Sequence, residues 1–197
     1  PWSDGIVSAI GVSYDGNVAE LFAAQEREAV IAVAPQFADF DPYLDIANPG
    51  GVFNQGFVGD WAAGNDILDQ NDICAFLDVT GADCDTARTV IDGVKRVDED
   101  EDGSLIDAAV NDHSTNVDVA TAVGSMEFRD DSFGDITFEE ISPFSHRTQT
   151  EAGGAVIFNW SSWLDGNTAR GSLSRFTTLS NRQVVLIGPW SHGVPDD

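Results

Sequence analysis

Gly5 to Gly16, GIVSAIGVSYDG, decides the reading of this chain. GIVSAI, residues 5–10, is short and apolar, which predicts a strand buried in a parallel sheet. GVSYDG, residues 11–16, is a sharp turn. Beyond it Val18, Leu21, Phe22 and Gln25 onward follow a helical period, which puts Glu20, Glu26 and Glu28 on the wet side. AVIAVA, Ala29 to Ala34, predicts a second buried strand, stopped by Pro35. Strand, helix and strand in that order make a βαβ unit and imply a parallel sheet.

The same rhythm returns near the other end. AVIFNW, Ala155 to Trp160, predicts a strand. Gly166 to Leu179 has helical spacing through Ala169, Leu173 and Phe176. VVLI, Val184 to Ile187, is a further strand ended by Gly188-Pro189. Between lies a different composition, Asp-, Asn- and Gly-rich, with helical patterns at Asp66 to Phe76 and Ser104 to Val117. The expected organisation is an α/β core over 1–40 and 141–197, split by an acidic helical insertion at 41–140. The first residues, Pro1-Trp2, open without Met just before a strand, which reads as an interior piece of a longer protein.

Charge narrows the partners. The net charge is -25, from 34 acids and 9 bases, and Lys95 is the only lysine. Residues 39–140 hold 25 of those acids and 4 of the bases. Nucleic acid and anionic membranes are repelled by such a chain. The composition also suits a protein kept soluble in high salt. The 42% hydrophobic content excludes a disordered chain, and no apolar run nears the ~18 residues of a membrane span. Cys74 and Cys84 are spaced for either a local bridge or two free thiols.

The chemistry starts at Ser13. A serine between a buried strand and a helix sits at the carboxyl edge of a parallel sheet, where α/β folds place ligands. So tight a turn holds the residue in strained backbone and brings strand and helix close. Small residues are then needed on both sides, which Gly11 and Gly16 supply. The Tyr14 backbone N–H, at the helix start, points toward a developing oxyanion. An ordinary glycine-containing βα turn explains the same letters. A serine hydroxyl needs a base. Of three histidines, His113 lies in the acidic insert and suits a surface role. His146, in SPFSHR, suits a structural or cleft-lining one. His192 follows VVLIGPW, just beyond the carboxyl end of a strand, and is the candidate base. Asp165 follows AVIFNWSSWL and precedes a helix, so it suits both a helix cap and the carboxylate that orients the base. The chain order Ser, Asp, His is that of α/β-hydrolases.

PWSDGIVSAIGVSYDG, SPFSHR, FNWSSWLDGNTARGSLSRF and LIGPWSHG together resemble landmarks of the cocaine esterase / X-Pro dipeptidyl-peptidase (CocE/NonD) family of serine hydrolases. The resemblance covers almost the whole chain, least securely the acidic insert. It implies a partial α/β-hydrolase fold: a mostly parallel sheet flanked by helices, with an inserted helical cap that shapes the acyl pocket. It puts Ser13 on the nucleophile, Asp165 on the acid, His192 on the base and Tyr14 N–H on half of the oxyanion hole. Trp163 falls beside the acid as a candidate substrate contact, and Trp160 suits core packing. The second glycine of the turn stands one place late against G-x-S-x-G. The family's upstream strands, with a tyrosine as second oxyanion donor, and its downstream β-sandwich are not in this chain. The isolated chain is therefore expected to be weakly active or inactive. The implied substrate is a small ester, amide or peptide, cleaved without metal or organic cofactor.

A rival lies at Asp98-Glu99-Asp100-Glu101-Asp102-Gly103, which opens like a calcium loop. Its twelfth position is Ala109, where a bidentate Glu is required, so an acidic turn before the helix at Leu105 accounts for it. A non-catalytic acidic module binding cations there, and a degenerate hydrolase relative kept as a scaffold, are the alternatives.

Overall fold

The strand-turn-helix read from residues 5–23 is present as β1 (Val7–Val12) and α1 (Tyr14–Ala23), followed by β2 (Val30–Gln36). The structure is a computed structural model and describes residues 3–25, 27–90 and 100–192. Pro1-Trp2, Glu26, Asp98 and Glu99 fall outside the described residues. The described residues continue with α2 (Gln55–Asp69), α3 (Ile73–Phe76), α4 (Gly81–Val90), α5 (Ser104–His113) and α6 (Val119–Ser125). A two-strand ribbon of β3 (Ser132–Phe133) and β4 (Ile136–Thr137) leads into α7 (Phe138–Ile141) and α8 (Arg147–Gly153). Then come β5 (Val156–Ser162), α9 (Thr168–Thr178) and β6 (Gln183–Gly188).

The main sheet has four strands in the order β1-β2-β5-β6, all parallel. Its strands meet the expected ones with ends shifted by one or two residues. The sheet flanked by helices is the α/β architecture expected. Pro35 does not stop β2, because it forfeits only one bond. Gln36 O accepts Ser13 N at 2.9 Å on the β1 side, and Phe37 N donates to Trp160 O at 2.7 Å on the β5 side. Pro35, between turns of that alternation, lacks a single donor toward β5.

One sheet face is packed. Val33, Ile157 and Val30 join Ala23, Phe40, Ala155 and Leu179 in the core. The other face presents Ile10 at 70% exposure, with Phe158, Val184 and Leu186 also exposed. β1, expected to be buried, is therefore half-dressed. Successive side chains on a strand point to opposite faces, and β1 stands at the end of the strand order with one face uncovered.

Residues 1–54 with 126–197 form one compact unit, and residues 55–125 a second. The second unit is helical among its described residues. Its α2 ends at Asp69, where the 66–76 pattern breaks into two helices around Asn71, whose φ is 53°. Few of its side chains are buried, chiefly Val58, Ala62, Cys74 and Ala122. Cys74 and Cys84 are joined in a disulfide, which links α3 to α4.

Candidate active site

Ser13 links β1 to α1 with φ 62° and ψ -132°, a conformation that costs a residue bearing a Cβ about 1–3 kcal/mol. Close approach forces it. A Cβ on Gly11 would lie 2.2 Å from Asp15 O, and one on Gly16 would lie 2.8 Å from Ala38 Cβ. The glycine standing one place late thus has its own task, letting α1 pass over the chain leaving β2. The backbone N–H of Ser13 is tied to β2 through Gln36 O. Tyr14 is the first residue of α1, where an N–H has no partner within the helix.

Asp165 lies in the turn between β5 and α9. The Thr168 hydroxyl donates to its Oδ2 at 3.1 Å, and the Thr168 N–H donates to its backbone O at 3.1 Å. The same Oδ2 accepts from His192 Nδ1 at 2.8 Å. Asp165 is 13% exposed and His192 48% exposed at the side chain. A carboxylate can only accept, so Nδ1 holds the proton and Nε2 is left with the lone pair. His192 is also fixed from behind. The Trp190 ring packs against that of Trp160, tilted by 53° with centroids 5.4 Å apart, and the Trp190 carbonyl accepts from the Ser162 hydroxyl. The Phe37 ring meets the His192 ring edge to face at 6.0 Å.

Asp165 and His192 are therefore directly joined, and Ser13 stands at the same carboxyl rim of the sheet, tied to the residue before Phe37. Ser13 Oγ and His192 are not hydrogen bonded to each other. Trp163, two residues before Asp165, has an exposed side chain, and its backbone N–H donates to Gly188 O at 2.9 Å. Trp160 packs against Phe158 and Trp190. His146 bonds the Glu140 carbonyl at 2.9 Å, a structural tie. His113 faces Asp69 at 3.4 Å.

The family model for X-Pro dipeptidyl-peptidases (S15 family) matches residues 1–194. The chain belongs to that family. Two relatives, each named "Putative serine esterase", come from Mycobacterium bovis and Mycobacterium tuberculosis. Each is 37% identical over 98% of this chain and 33% of its own length. The chain thus spans about one third of the curated relatives it matches. Among solved structures, a meta-cleavage product hydrolase from Pseudomonas fluorescens aligns over 95% of this chain and 58% of its own. The TM-score is 0.41 and the identity 14%.

Behind the rim of this S15 chain lies a buried polar scaffold. Arg175 on α9 donates from Nε to Glu20 Oε2 at 2.8 Å, and its other nitrogens reach Asn159 Oδ1 at 3.2 Å and Asp39 O at 2.7 Å. Glu20, expected on the wet side of α1, is 0% exposed. α1 turns Gly16, Asn17, Ala19, Glu20 and Ala23 inward and leaves the expected apolar residues Val18 and Phe22 exposed, and Arg175 meets the buried Glu20 carboxylate. Burial still raises the Glu20 carboxyl above its usual range, against the pull of Arg175. Asp39, which accepts from Asn17 Nδ2 at 3.0 Å, is pushed up to about 6, again by desolvation.

The described part of the candidate calcium loop has another use. Asp100 Oδ1 and Oδ2 accept the N–H groups of Leu105 and Ile106 at 2.8 and 3.2 Å, closing the start of α5. Among the described residues no group of three or more His, Cys, Asp or Glu is arranged to hold a metal. A cavity of about 630 Å³ in the 55–125 unit is lined by Asp66, Asp69, Asp107 and His113 among others. None of Ser13, Asp165 and His192 lines it. The sequence reading missed Phe37 and Thr168. A signal for Thr168 was present in Asp165-Gly166-Asn167-Thr168, where a hydroxyl three residues after an Asp reaches back to it.

Proposed function

We propose that the chain supplies the catalytic centre of a serine hydrolase that cleaves acyl esters or amides. The observation that carries this reading is the 2.8 Å bond from His192 Nδ1 to Asp165, at the rim where Ser13 is held in strained backbone. Ser13 Oγ attacks the carbonyl carbon while His192 Nε2 takes its proton. Asp165, steadied by Thr168, keeps the imidazole in the required tautomer and stabilises its cationic form. The Tyr14 N–H donates to the oxyanion as one of its two donors. His192 then returns the proton to the leaving alcohol or amine, leaving an acyl group on Ser13. Water, deprotonated by His192, releases the acid. Trp163 offers an exposed aromatic face for the acyl or leaving group. The relatives' name favours an ester substrate. The family description favours a second reading, a peptide with proline in second place.

A fluorophosphonate probe tests this in the complete protein. The expected result is one adduct, mapped to Ser13 and absent in Ser13→Ala. An unlabelled Ser13 in a folded, ester-hydrolysing protein overturns the assignment. Turnover of an aryl ester against an X-Pro arylamide separates the two substrate classes.

A further inference from the structure

We propose that Phe37 is a positioning residue that holds the His192 imidazole in register with Ser13, a role that rests on the serine-hydrolase reading above. The bond to Asp165 fixes Nδ1 but leaves the imidazole free to swing about the line from Nδ1 to Oδ2. A general base must keep Nε2 aimed at the hydroxyl it deprotonates. Phe37 supplies the second constraint, its ring 6.0 Å from that of His192 at an interplanar angle of 60°. The residue is itself enclosed and tied to β5. Phe37 is 2% exposed and its N–H is bonded to Trp160 O at 2.7 Å. Its neighbour Gln36 accepts the Ser13 N–H at 2.9 Å. One dipeptide, Gln36-Phe37, thus bonds the nucleophile turn with its first residue and packs on the base with its second.

The backbone of Phe37 separates this role from mere filling. Four non-glycine residues among those described have positive φ: Ser13, Phe37, Asn71 and Asp78. Asn and Asp adopt that region readily, but a bulky residue there is strained by about 1–2 kcal/mol. Core packing alone would take a relaxed position. The two costly cases, Ser13 at 62° and Phe37 at 47°, stand at the ends of adjacent strands β1 and β2.

Three variants of the complete protein test this, with two readouts. Phe37→Tyr keeps the aromatic contact and retains activity within about 2-fold. Phe37→Leu keeps an apolar side chain and loses about 10- to 100-fold in kcat, with KM and Tm little changed. Phe37→Gly relieves the left-handed strain and still loses kcat. If it fails to fold, the Leu variant decides alone. The second readout is the downfield proton resonance of His192 Nδ1–H, which depends on His192 and Asp165 and not on Ser13. It is expected to be sharp in the parent and Phe37→Tyr, and broadened in Phe37→Leu. Parent-like kcat together with a parent-like resonance in Phe37→Leu overturns the proposal. A resonance that broadens as expected in a protein unlabelled at Ser13 supports the hold of Phe37 on the imidazole but overturns its purpose toward Ser13 together with the serine-hydrolase reading.

Discussion

The 55–125 unit and the sheet unit are both rich in aspartate, and, apart from Asp100 at the start of α5 and Asp69 beside His113, they use it differently. In the sheet unit the buried acids have partners. Glu20 meets Arg175, Asp45 meets Arg170, Asp41 meets Arg129 at 2.6 Å, and Asp165 meets His192. In the helical unit Asp60 and Asp85 stand exposed on α2 and α4, and α4 buries none of its residues. The difference teaches that an acid's meaning is set by dielectric surroundings rather than by abundance. A carboxylate in water needs no partner. One removed from water must be paired, hydrogen bonded or neutralised.

The sharpest test of that contrast is Asp165→Asn. It removes the one sheet-unit acid bonded to the candidate base, and kcat for ester hydrolysis should fall on the order of 10⁴-fold with the fold intact. A loss under 10-fold would return Asp165 to a helix-turn role. Next is Arg175→Met, which leaves Glu20 and the Asp39 carbonyl without their cation. The complete protein should lose about 3–5 kcal/mol by denaturant titration. The double change Arg175→Met with Glu20→Gln should recover part of it.

A smaller effect is expected from pH. Asp39 is raised from 3.8 to about 6 by desolvation, so the folded state holds its proton more tightly than the unfolded chain. Its contribution to stability is full below pH 3.8 and lost as pH rises through about 6. The stability of Asp39→Asn relative to the parent should therefore increase between about pH 4 and 7, read from unfolding midpoints. A difference flat across that window contradicts the desolvation argument. The smallest effect belongs to the other unit. Asp60→Asn and Asp85→Asn should each shift stability by no more than about 0.5 kcal/mol. A larger loss would show that this acidic surface is paired after all, and the comparison would fail.

Much of the fold was legible because its signals are local. The apolar runs at 5–10, 29–34, 155–160 and 184–187 each became a parallel strand, and the turn glycines announced the tight passage at Ser13. The positions of Ser13, Asp165 and His192 just past strand ends were legible for the same reason, since each follows an apolar run. Burial of Glu20 was not legible, because helical period cannot see Arg175, 155 residues away. The exposure of Ile10 was hidden too, since a buried strand and an edge strand share the same apolar letters. Two cysteines ten residues apart permitted the bridge between α3 and α4 without choosing it.

By itself the sequence determined the order of strands and helices, the acidic character of the middle, and which three side chains end at a strand's carboxyl edge. These follow from periodicity and turn chemistry within a few residues of chain. Tertiary structure alone decided which nitrogen of His192 faces the carboxylate, that Glu20 lives inside, and that Phe37 adopts a left-handed backbone against the imidazole. Those outcomes depend on groups from distant segments sharing one low-dielectric volume, where pairing and packing outweigh local preference.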